Sequence, residues 1–235
     1  MERTRYGDPK VIVFADRLDA GDRLAARVTD HTGAGAIVLG IPRGGVPVAA
    51  VVASRLEAEL DVIVARKVGA PGYGELAIGA VTANGGRFFN EDVIQELGVS
   101  ESYLEWAVAR EMAEARRREE RFRAGRPLSL LERRIVIVVD DGLATGATMR
   151  AAVRSVRSRH SGKLIAAVPV GSVQACAALR PEVDELVCLE TPEPFDAVGL
   201  YYRDFEPVED AEVQRLLQEA WAKAPRPREG IVAPS

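Results

Sequence analysis

The chain predicts an α/β fold, a mainly parallel sheet with helices on both faces. Three observations carry this. AIVLGI (36–41), RIVIVVDD (134–141) and KLIAAVPVG (163–171) are strand-length apolar runs with no polar face, as strands covered on both sides require. Helix-length segments such as GGVPVAAVVASRLEAEL (44–60) separate such runs, and the alternation marks a layered α/β domain. With 235 residues, 47% of them apolar, the chain can bury one sizeable core.

In chain order, FADRLDAGDRLAARVTD (14–30) places Phe14, Leu18, Ala25 and Val28 at helical spacing. Strand 36–41 follows, then helix 44–60, apolar on nearly every face until Ser54. DVIVAR (61–66), short and β-branched, is expected as a second buried strand. KVGAPGYGE (67–75) is rich in Gly and Pro and reads as a mobile loop. ELAIGAVTANGGRFFN resembles a hairpin whose Asn84-Gly85 suits a type I′ turn. Residues 90–124 return to helix: a short one, a break at Gly98, and a long charged helix from about Ser100. After strand 134–141 come the helix TMRAAVRSVRSRH, strand 163–171, helix VQACAALR and strand DELVCLE. The closing helix 211–221 sets Val213, Leu216, Leu217 and Ala220 on one face. The whole is expected to be a single domain, 1–235. Within it lie a loop and hairpin at 67–89, a helical insertion at 90–126, and a hood with C-terminal extension at 192–235, ending in a Pro-rich tail.

Composition narrows the function. A net charge of −4, from 31 basic against 35 acidic residues, argues against nucleic acid as a partner. No apolar run approaches the ~20 residues of a membrane helix, and the charged start MERTRYGDPK is unlike a signal peptide. Two cysteines, Cys176 and Cys188, make no disulfide framework, so a cytoplasmic location is expected. His31 and His160 lie in polar segments and receive no role. Among the basic residues 27 are Arg, and residues 110–126 hold seven Arg against four Glu. Glu114–Arg118 and Glu119–Arg123 have the i,i+4 spacing of a solvated helix. The alternative makes 100–126 an interaction element for a partner or a homodimer.

VIVVDDGLATGATMRAAV (136–153) carries the chemistry. A buried strand delivers Asp140 and Asp141, and Ala144, Thr145, Gly146, Ala147 and Thr148 then open a helix. Small residues let backbone N–H groups converge on an anion at the helix start, and the Thr145 and Thr148 hydroxyls add donors. The paired carboxylates can accept from vicinal hydroxyls or hold Mg²⁺, directly or through water. A phosphate cradle beside a diol clamp suits a ribose 5-phosphate. No Lys follows the glycine turn, so a Walker site is excluded, and GxGxxG is missing.

On these residues the sequence resembles the type I phosphoribosyltransferases, nearest in motif to the adenine phosphoribosyltransferase-like members. The resemblance spans about residues 35–170. It implies that Asp140 and Asp141 hold the ribose hydroxyls of phosphoribosyl pyrophosphate (PRPP), and that 144–148 takes its 5-phosphate. GIPRGGVPVA (40–49) resembles the family's pyrophosphate loop, with Arg43, Gly44 and Gly45 at its tip and a non-proline cis bond expected at Arg43–Gly44 or next to it. ARKVGAPG (65–72) resembles the segment leading into the family's catalytic loop, which makes Arg66 and Lys67 the catalytic candidates. The implied reaction is Mg²⁺-assisted transfer of phosphoribose from PRPP to a small nitrogenous acceptor, with pyrophosphate leaving; the alternative is a catalytically weak PRPP-binding regulator. Ala144 stands where enzymes for 6-oxopurines carry an aspartate, which disfavours those bases. For the acceptor, Phe195 and Tyr201, together with Tyr202 and Phe205, are available to stack on a planar base. The same rings could equally pack the terminal segment onto the sheet.

Overall fold

The computed structural model describes residues 14–29, 35–159 and 162–223. His31, His160 and the Pro-rich tail lie outside the described residues. The elements are α1 (Arg17–Val28), β1 (Ile37–Gly40), α2 (Gly45–Leu56), β2 (Glu59–Val62), β3 (Ala65–Ala70), β4 (Tyr73–Thr82), β5 (Arg87–Phe89), α3 (Glu91–Glu96), α4 (Glu101–Arg123), β6 (Val136–Val139), α5 (Ala147–Arg157), β7 (Leu164–Val170), α6 (Val173–Leu179), β8 (Glu185–Glu190) and α7 (Asp210–Lys223). Five strands form a parallel sheet in the order β2-β1-β6-β7-β8.

Both faces of this sheet are covered, as the unbroken apolar strands require. Val38, Ile137 and Val139 face one core with Leu24 of α1, Val52 of α2, Phe122 of α4 and Val213 and Leu217 of α7. Ile37, Leu39, Val136 and Val138 face the other, against Met149 and Val153 of α5 and Leu179 of α6. The expected face of the closing helix is the one used, since Leu216 and Ala220 pack on the same core as Val213 and Leu217. In α1 the buried face is Ala20, Gly21, Leu24, Ala25 and Val28, whereas Leu18 is exposed. Asp16 caps this helix by accepting from Leu18 N and Asp19 N. Phe14 precedes it and bridges to Tyr202.

The structure departs from the sequence reading between 59 and 89. DVIVAR is not one strand: β2 ends at Val62, and β3 begins at Ala65 in a separate antiparallel sheet, β3-β4-β5. Apolar content told that the run was buried but not which sheet it pairs with. Two groups on α4 fix the crossing, because Glu119 accepts from Val64 N at 3.1 Å and Arg123 donates to Val62 O at 2.6 Å. The segment 67–75 is not a loop but the paired arms of β3 and β4, turning at Pro71-Gly72 with Gly72 at φ +73°. The β4–β5 hairpin forms around Asn84-Gly85 as expected, but only Gly85 has a positive φ, so the turn is not type I′. Gly85 N donates to Thr82 O and Thr82 N to Gly86 O, a wider connection ending on a left-handed glycine.

The helical segment 90–124 takes the expected form, α3 and α4 broken at Gly98. Asn90 and Ser100 cap the two helices. Its Arg/Glu pattern is only half solvated. Glu114–Arg118 is a surface pair, but Glu119 and Arg123 are buried and join the equally buried Asp61, with Arg123 Nε 2.9 Å from Asp61 Oδ1. On one face of the small sheet Val68, Ile78 and Val81 meet Ile94, Ala107 and Val108 of α3 and α4. On the other, Ala80 and Phe88 meet Ala147 and Ala151 of α5. No helix among the described residues is long and apolar enough to cross a membrane.

Candidate active site

The strand order reverses direction between β1 and β6, since β2 lies outward of β1 and β7 and β8 outward of β6. At such a switch point the loops leaving the two strands splay apart and leave a crevice at the carboxyl ends. The β1–α2 loop carries Arg43, Gly44 and Gly45; the β6–α5 loop carries Asp140, Asp141 and 144–148. The two loops touch. A Cβ on Gly44 would stand 1.9 Å from Asp141 Oδ2, and one on Gly45 would stand 2.8 Å from Asp140 Cα and 2.9 Å from Asp140 Oδ1. Glycine is required here for close approach, not for unusual dihedrals, because Gly44 has φ −62° and ψ −32°. The expected non-proline cis bond is present at Pro42–Arg43, next to Arg43–Gly44.

Gly146 (φ +78°) turns the chain so that α5 starts at Ala147 with no side-chain cap. The amides of its first turn are therefore available to an anion, reinforced by the helix dipole. Ala144 and Thr145 are exposed and Thr148 is half-buried beside them. The loop is moored to the next strand: Leu143 N donates to Val170 O, and Ser172 Oγ donates to Ala144 O at 2.8 Å.

Burial, and then the charge of Asp141, pushes the Asp140 carboxyl well above the usual carboxylate range. Burial raises Asp141 too, with Arg17 pulling the other way. Arg17 Nε lies 3.0 Å from Asp141 Oδ2 with both side chains largely enclosed. The same guanidinium donates to Glu206 O at 2.8 Å and stacks over the Phe205 ring at 3.9 Å. Tyr202 Oη donates to Asp141 O at 2.6 Å, and a Cβ on Gly142 would meet Val198 at 2.4 Å. The segment after β8 thus seats directly on the acid pair. Sequence reading assigned no role to Arg17: nothing separates it from the other arginines until the fold carries it 124 residues along the chain to Asp141.

Arg66 and Lys67 stand on β3, Arg66 with Nε 3.0 Å from buried Glu111 of α4 and Lys67 exposed. Both line a cavity of about 770 Å³ that also reaches Thr148, so the structure brings the β3 pair to the side of the 144–148 turn. Arg43 is 44% exposed, with Nη1 3.8 Å from both Glu209 and Asp210 at the start of α7. The aromatics mainly pack. Tyr201 is buried, its hydroxyl donates to Pro194 O, and Phe195 stacks on it at 5.4 Å; Tyr202 contacts Phe14 and Phe205. Phe195 and Phe205 are half-buried, whereas Tyr201 and Tyr202 are buried, so Tyr201 is not free to stack on a base.

An open-edged parallel sheet with two glycine-containing loops and an acid pair at its switch point defines an α/β domain with a crevice at the carboxyl ends of its strands. Comparison with known proteins makes the class particular: the model of the phosphoribosyl transferase domain matches residues 14–203, and the chain belongs to that family. Two Mycobacterium tuberculosis proteins, each named "Putative phosphoribosyl transferase", are 44% identical over 208 residues, 88% of this chain. The chain spans 47% of the length of those relatives. The crystal structure of TT1426 from Thermus thermophilus is 43% identical, with a TM-score of 0.76 over 88% of this chain and 99% of that one.

Proposed function

We propose that this phosphoribosyltransferase domain transfers the 5-phosphoribosyl group of PRPP to a small nitrogenous acceptor, releasing pyrophosphate. The observation that supports this reading is the fit of Gly44 and Gly45 onto Asp141 and Asp140, which puts the β1–α2 and β6–α5 loops in direct contact. In this reading the amides and hydroxyls of 144–148 hold the 5-phosphate. Asp140 and Asp141 accept from the ribose hydroxyls, and 43–45 with Arg66 and Lys67 hold the pyrophosphate.

During transfer the bond from ribose C1 to the pyrophosphate oxygen breaks and a bond to the acceptor nitrogen forms on the opposite face. Negative charge grows on the leaving group, where Arg43, Arg66, Lys67 and loop amides lower its energy. Arg17 keeps Asp141 available as a hydrogen-bond acceptor by opposing the effect of its burial.

Mg²⁺ suits the donor set. No cluster of three or more metal-capable side chains exists among the described residues, and Mg²⁺ characteristically takes one or two carboxylates plus water and phosphate oxygens. Asp140 and Asp141 would hold it; when bound it supplies positive charge to the departing pyrophosphate. Ala144 offers no carboxylate to a base, which favours acceptors other than 6-oxopurines.

The test is incubation with radiolabelled PRPP, Mg²⁺ and a panel of bases, following pyrophosphate release. Turnover with one base supports transfer. Tight PRPP binding without turnover on any base favours a regulator, and unchanged PRPP affinity in Asp140→Asn with Asp141→Asn refutes the site.

A further inference from the structure

The cavity beside β3 has a wall that the reading above leaves unused. β3 is an edge strand of the small sheet, and its residues line the cavity together with Thr148 and with Tyr103, Trp106 and Arg110 of α4. Trp106 is 54% exposed. Its ring lies 5.7 Å from that of Tyr103 and 4.7 Å from the Arg110 guanidinium. These groups are held in place. Tyr103 Oη donates to Gly69 O of β3 at 3.0 Å, and buried Glu111 accepts from Arg110 Nε and from Arg66 Nε, each at 3.0 Å. Lys67 is exposed and has no hydrogen bond or ion pair among the described residues. Three cations against one carboxylate, next to an open indole, match a ligand with a planar ring and an anionic tail.

We propose that this cavity binds a nucleoside phosphate, its base stacked on Trp106 and its phosphates on Arg66, Lys67 and Thr148, and that it thereby competes with the sugar-pyrophosphate donor. The competition rests on the donor-site reading above; the ring site does not. The ligand is a competitor and not the acceptor, because Arg66 and Lys67 lie on the pyrophosphate side in that reading. An incoming nitrogen must approach C1 from the opposite face. The arrangement makes the helical insertion a nucleotide sensor fused to the transfer site.

The chain has two tryptophans, so Trp221→Phe leaves Trp106 as the sole indole reporter. Titrating this variant with ADP should quench its fluorescence saturably, ribose 5-phosphate and pyrophosphate should not, and PRPP should displace ADP. Trp106→Ala, a substitution at an exposed position, should weaken ADP binding measured by calorimetry about 5- to 100-fold. Its affinity for ribose 5-phosphate should be unchanged. The proposal is overturned if millimolar ADP leaves the fluorescence unchanged, if Trp106→Ala binds ADP as the parent does, or if PRPP fails to displace it. Failure of wild-type protein to bind ribose 5-phosphate, with ADP binding intact, instead overturns the donor reading.

Discussion

Replacing Gly44 by Ala tests the contact on which the site depends. The added methyl would stand 1.9 Å from Asp141 Oδ2 and 2.6 Å from its Cγ, while non-bonded approaches below 3.0 Å essentially never occur at a Cβ. Carboxylate or loop must therefore yield by more than 1 Å. The carboxylate has little freedom, since its Oδ2 is held 3.0 Å from Arg17 Nε and its own carbonyl accepts from Tyr202. Forced overpacking at a well-packed position costs about 1–3 kcal/mol, equivalent to a Tm fall of roughly 2–12 °C for a domain of this size. The larger effect should be on binding, because the methyl occupies the space between pyrophosphate loop and acid pair. Calorimetry should show PRPP affinity falling by about two orders of magnitude, in line with misplacement of a positioning group. A Gly44→Ala protein with unaltered Tm and PRPP affinity would refute the claim that the two loops are in contact.

Three further outcomes follow from the geometry. Arg17→Ala should weaken PRPP binding at least tenfold, because Asp141 loses its cation and the Phe205 segment its anchor; Arg17→Lys, lacking the planar fork, should recover only part of the loss in the same titration. Arg123→Met should lower stability by about 3–5 kcal/mol, since it leaves Asp61 and Glu119 buried without a cation; urea denaturation reads this, and a change below 1 kcal/mol would contradict the burial of the triad. The Arg117 guanidinium, then that of Arg118, holds the Glu114 carboxyl down to about 2. A depressed folded-state value gives stability that is present above the ordinary carboxylate range and lost as pH falls toward about 2. The Tm of wild type should therefore drop more steeply between pH 5 and pH 2 than that of Glu114→Gln. The difference should be small at high salt, since the group lies near the surface.

The parallel sheet was legible because its strands are covered on both faces, and burial on both faces leaves runs such as VIVV with no polar residue. The acid pair and the 144–148 turn were legible for a related reason: a short anion cradle is built from contiguous residues, so its pattern survives in one dimension. What sequence could not show was partnership across distance. Ile63 and Val64 look like the interior of one strand, yet the chain changes sheets there because Glu119 and Arg123 of α4 satisfy the backbone on either side. Gly and Pro in 67–75 signalled a turn correctly and a long loop wrongly, since Pro71-Gly72 is the turn itself and the flanking glycines lie within β3 and β4. Tyr201 offered an aromatic ring in the sequence, but the apolar cluster of Phe14, Val170 and Tyr202 takes it into the core. Thus the sequence by itself determined the layered fold, the acid pair with its 144–148 turn into a helix, and the family resemblance, each written in local periodicity or in adjacent residues. The tertiary structure alone decided that Arg17 guards Asp141, that glycines 44 and 45 seat on the acids, and that Glu111 aims Arg66. Those depend on contacts between residues 45 to 124 positions apart, and side-chain electrostatics and close packing act through space, where no local pattern records them.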